Sequence, residues 1–149
     1  MKNQKWHIKY LKWFSADEIY ETSKNWNSEL YFIKDEQHFF QHLFHQFAAS
    51  FIKSKELFKI KRILYDLTEL QEECTILIWI ISKHVNNLNL LIDDVNQIRE
   101  EKIYKETHQQ IFEAMDDFLL KHKEFKKTLF KMVTDDLKSS PEKIRLAQQ

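Results

Sequence analysis

Residues 60–88 read IKRILYDLTELQEECTILIWIISKHVNNL. Within them Ile60, Leu67, Cys74, Ile81 and Leu88 recur every seven residues, and Ile63, Leu64, Leu70, Leu77, Ile78 and Val85 widen the same face. A seven-residue apolar period draws a stripe along one side of a helix; a strand would alternate every two residues. The stretch therefore predicts a helix over 55–88, with Ser54 as its cap. Asn86, Asn87 and Asn89 argue for an end there, because asparagine favours turns and tolerates the left-handed conformation.

The same period continues on both sides. Upstream it runs through Ile19, Trp26, Ile33, Phe40 and Phe47, with Leu30, Phe44 and Phe51 beside them. Ser15-Ala16-Asp17-Glu18 forms a capping box ahead of this series, so a helix is expected over 16–52. Downstream, Tyr104, Ile111, Phe118, Phe125 and Met132 predict a third helix over 97–138. Ser140-Pro141-Glu142 is an N-cap followed by proline at the first helical position, so a short tail helix is expected within 141–149.

The links between these helices are short and make sequence neighbours antiparallel. The expected fold is all-α: a long antiparallel three-helix bundle, coiled-coil-like in its packing, formed by a single domain over 1–149. Residues 1–14 stand outside the repeat and are expected to dock on the bundle.

Composition supports this and excludes much else. The 149 residues contain no glycine and one proline, Pro141. Glycine supplies the positive-φ positions of tight hairpins, phosphate loops and nucleophile elbows. The chain is 43% hydrophobic, too apolar for disorder. Lys+Arg and Asp+Glu number 23 each, which gives no case for nucleic acid. The longest apolar run, Ile76 to Ile81, is too short for integral membrane insertion. Met1-Lys2-Asn3-Gln4-Lys5-Trp6 has no apolar signal core, and the lone Cys74 fits a reducing compartment, so a cytoplasmic location is expected.

Three sets of residues carry possible chemistry. His38, His42 and His45 have metal-like helical spacing but lie opposite Phe40, Phe44 and Phe47, so they read as a solvated stripe. His84, His108 and His122 instead fall in the apolar faces, while Glu29, Glu36 and Gln71 intrude on them. Antiparallel register brings His122 near Gln71 and Glu36, and His84 near His108 and the Trp26–Glu29 region. Buried charge needs a partner, so these groups are expected to form two polar layers that set helix register. Glu36, His84, His108 and His122 are also the candidates for a metal or small-ligand site. Cys74 lies on the core face with no histidine one turn away and reads as an inert thiol.

Apolar surface left over is the third set. Phe58, Tyr65, Ile76, Trp79 and Ile80 face away from the seam of the second helix; Phe32, Phe39, Phe112, Leu119 and Phe130 broaden the other two. One stripe per helix suffices for a three-helix monomer, so the excess suggests an interface. Residues 1–14 offer Trp6, Tyr10 and Trp13 to cover Ile76, Trp79 and Ile80. Their Lys2, Lys5, Lys9 and Lys12 could meet Asp93, Asp94, Glu100 and Glu101, or bind an anionic surface.

Trp26-Asn27-Ser28-Glu29-Leu30, Phe32-Ile33-Lys34-Asp35-Glu36 and Tyr104-Lys105-Glu106-Thr107-His108 resemble a group of small helical proteins from Bacteroidota. The resemblance implies an all-helical fold and no assigned activity. The expected function is a non-enzymatic interaction or scaffold protein, self-associating or bound to a protein partner and needing no cofactor. The alternative is a metal- or small-ligand-binding bundle built on the core Glu and His residues.

Overall fold

A computed structural model describes residues 16–53, 57–92 and 98–139, all of them helical. Helix α1 spans Ala16–Lys53, α2 Leu57–Ile92 and α3 Ile98–Ser139. The expectations for residues 1–14, for the caps at Ser15 and Ser54 and for the tail lie outside these residues. At a rise of 1.5 Å per residue the helices are roughly 54–63 Å long. Asp17 and Glu18 occupy the first turn of α1 and Lys138 the last turn of α3, where each complements the helix dipole.

One boundary departs from the sequence expectation. α2 does not stop near Leu88 but continues through Asn86, Asn87 and Asn89 to Ile92. Leu88 is buried against Ile19 and Tyr104. Burying a leucine contributes about 2 kcal/mol. Each asparagine costs only about 0.5 kcal/mol of helix propensity, so packing wins.

Contacts between helices define the arrangement. Along α1, Ile19 meets Leu88, Asn27 meets Ser82 and Leu30 meets Cys74, so α2 runs antiparallel to it. His84 meets His108 and Glu73 meets Lys121, so α3 reverses again. Trp26 meets His108, and Glu36 meets His122, as parallel α1 and α3 require.

Every buried side chain among the described residues falls in one of six seven-residue series, two on each helix. The second series of each helix carries all the buried polar groups: Ser23 and Gln37 on α1, His84 on α2, His108 and His122 on α3. α1 and α3 approach each other least closely, and large side chains fill the gap between them. Trp26 stacks on His108, and Phe40 packs on Phe125 and Phe130. Between α1 and α2 smaller groups meet: the Cys74 thiol lies 3.4 Å from the Leu30 carbonyl, and Asn27 reaches Ser82 at 3.2 Å. Large side chains thus go with the wider α1–α3 spacing and small ones with the closer approach of α1 and α2.

Candidate functional site

The upper polar layer is a stack of rings drawn from all three helices. Tyr104 and His108 lie one turn apart on α3, and His84 of α2 enters between them. Ring centroids are 4.1 Å apart for Tyr104 and His84, 5.2 Å for His84 and His108, and 4.7 Å for His108 and Trp26 of α1. Phe112 closes the series edge-on against Trp26.

Hydrogen bonds lock this stack. His84 Nε2 and His108 Nδ1 are 3.0 Å apart, so one ring donates its N–H and the other accepts. The Tyr104 hydroxyl donates to the His84 carbonyl at 3.2 Å, and Ser23 donates to the Ile19 carbonyl at 2.8 Å. Burial pushes both imidazoles down to about 4, with the neighbouring ring lowering His108 further. Burial likewise raises the Tyr104 phenol above its ordinary range. A neutral, apolar-walled histidine pair results.

The lower polar layer lies two heptads away, roughly 21 Å along α3. His122 Nε2 donates to Glu36 Oε1 at 3.3 Å, and Lys126 Nζ donates to Glu36 Oε2 at 3.3 Å. Burial lowers His122 most; Glu36 opposes that shift and Lys126 adds to it. Behind this pair Gln37 is fully buried, and neither atom of its amide group has a hydrogen-bond partner; His122 Nδ1 has none either.

Several sequence expectations change here. Glu36, His84, His108 and His122 do not converge on one site: they divide into two layers two heptads apart. Among the described residues no three His, Cys, Asp or Glu side chains cluster as metal ligands. Glu29 is exposed rather than part of the upper layer. Gln71 is only half-buried and makes no side-chain bond to Glu36 or His122; Lys126 takes that place. Glu29 and Gln71 each sit one position from a buried series, beside Leu30 and Leu70, which is enough to turn a side chain to the rim. Ser23 and Gln37 are buried polar residues that the apolar series on α1 does not single out. Their signal was the spacing Ser23, Leu30, Gln37, Phe44, which repeats every seven residues.

The remaining candidates lie outside the core. His38, His42 and His45 are exposed. Cys74 is buried and its thiol is pushed up to about 11 by burial, far from a reactive thiolate. On the outer face of α2, Tyr65, Ile76 and Trp79 expose 61%, 58% and 59% of their surface, and Phe58 exposes 85%. Ile80 turns inward and packs on the core. The Lys83 ammonium lies 4.1 Å from the centre of the Trp79 ring. Trp6, Tyr10 and Trp13 lie outside the described residues. None of the described helices is long and apolar enough to cross a membrane. No protein-family model, curated protein or solved structure matches the chain.

Proposed function

We propose that this chain is a helical interaction protein that self-associates through the outer face of α2, and that its polar layers set register rather than perform catalysis. One observation carries the reading. Phe58, Tyr65 and Trp79 recur at multiples of seven on the side of α2 farthest from the core, where a solvated helix carries polar groups. Tyrosine and tryptophan are the residue types that anchor interfaces, because each offers a large apolar body with few rotamers to freeze. The buried histidines support the second half of the reading. They are neutral, bonded to one another or to Glu36, and stacked on aromatic rings. Sedimentation velocity over a range of concentrations tests the proposal. The expected result is a mass above that of one chain for the parent, and a single-chain mass for Trp79→Asp at unchanged helicity. A parent that stays a single chain at every concentration refutes it.

A further inference from the structure

The described residues carry two apolar surfaces, and these lie on opposite sides. The first is the α2 ridge of Phe58, Tyr65, Ile76 and Trp79. The second is the seam between α1 and α3, where the backbones stand farthest apart. Phe32, Phe39 and Phe130 expose 65%, 59% and 48% of their surface there, over a floor that includes half-buried Leu119. Ring contacts fix the seam's position: Phe130 packs on Phe40 across it, and Phe39 packs on Phe40 beside it. The flanks of α2 are already used, by Asn27–Ser82 toward α1 and Glu73–Lys121 toward α3. Its ridge therefore points directly away from the α1/α3 seam.

Resting on the self-association proposed above, we infer that the ridge of one copy occupies the α1/α3 seam of the next. Chain growth is then head-to-tail, with α2 of each copy completing a four-helix arrangement on its neighbour. Register and charge both favour this occupant. The Glu73–Lys121 contact aligns α2 with α3. On that alignment a copy displaced sideways brings Trp79 and Ile76 level with the seam between Phe112 and Phe32. Tyr65 comes level with the seam between Phe39 and Phe130. Between these two aromatic contacts, Glu69 and Glu72 come level with Lys123 and Lys126; beyond Trp79, Lys83 comes level with Glu113. A two-fold pairing of α2 with itself lacks this match. Setting Tyr65 against the other copy's Trp79 places Glu72 against Glu72, and a parallel pairing sets every charge on its like.

Complementation decides between these arrangements. Trp79→Asp spoils the ridge and leaves the seam intact; Phe39→Asp does the reverse. Each variant alone is expected to sediment as a single chain, and an equal mixture as a one-to-one dimer that grows no further. Helicity and urea midpoint are checked first, and Tyr65→Asp with Phe32→Asp replaces either variant that unfolds. A mixture that stays monomeric, or a Phe39→Asp protein that keeps the parent's mass, overturns head-to-tail growth while leaving the α2 interface standing. A Trp79→Asp protein that keeps the parent's mass removes the α2 interface itself.

Discussion

Gln37 and His122 show how much one position on a helix decides. Glu36 and Gln37 are adjacent, yet the charged residue reaches the rim and the neutral one is sealed inside. A buried amide without partners costs about 1–3 kcal/mol. Replacing Gln37 by Leu, of similar size, is therefore expected to raise stability by roughly 1 kcal/mol, read as a higher urea midpoint at constant slope. A lower midpoint would mean that the amide is bonded after all. His122→Leu has the opposite sign. It takes one partner from Glu36 but leaves Lys126, and Glu36 is partly solvated, so a loss of about 1 kcal/mol is expected rather than the 3–5 kcal/mol of breaking a fully buried pair. Equal stability of variant and parent would show that the Glu36 contact contributes nothing.

The histidine pair gives a pH dependence with a definite sign. Both folded values lie near 4, below the ordinary 6.5, so the unfolded chain binds more protons in acid. The stability that depends on neutral His84 and His108 is complete above pH 6.5 and is lost progressively as pH falls toward 4. At pH 5 the loss is on the order of 1–2 kcal/mol per histidine. Replacing both by Leu should flatten the urea midpoint between pH 7 and 5; a profile as steep as the parent's would rule out this source.

At the scale of the helix, the end of α2 sets propensity against burial. Leu88 joins Ile19 and Tyr104 in a small cluster separate from the main core. Leu88→Ala is expected to cost about 2–4 kcal/mol and to speed hydrogen exchange at the amides of Val85 to Leu88. Asn87→Ala, on the exposed side, should be neutral or stabilise by about 0.5 kcal/mol. If the alanine at position 88 is harmless, the helix persists there for some reason other than that cluster. This boundary was the part of the fold least legible in the residues. Three asparagines announce a stop locally, and what overrules them lies on the two other helices, at Ile19 and Tyr104.

Across the whole molecule, the histidine layer separates the Ile19–Leu88–Tyr104 end from the main core. Cooperative units of unequal stability follow from such a division. As pH falls to 5, amide protection in the Ile19–Trp26, Ile81–Leu88 and Tyr104–Ile111 stretches is expected to decline before protection around Phe40, Leu67 and Phe125. Simultaneous loss in all six stretches would show one unit instead of two.

The seven-residue recurrence was sufficient to determine three helices, their core faces and their antiparallel order, because a helix can bury only a stripe and short links permit few topologies. It also placed His84 beside His108 and His122 beside Glu36, since register follows from counting along straight helices. Tertiary structure alone decided the rest: Lys126 rather than Gln71 on Glu36, Glu29 outside, and α1 farther from α3 than from α2. Each of these depends on where a side chain lies by one position, or on how large its neighbours across the bundle are. Periodicity averages over the first and holds no information about the second.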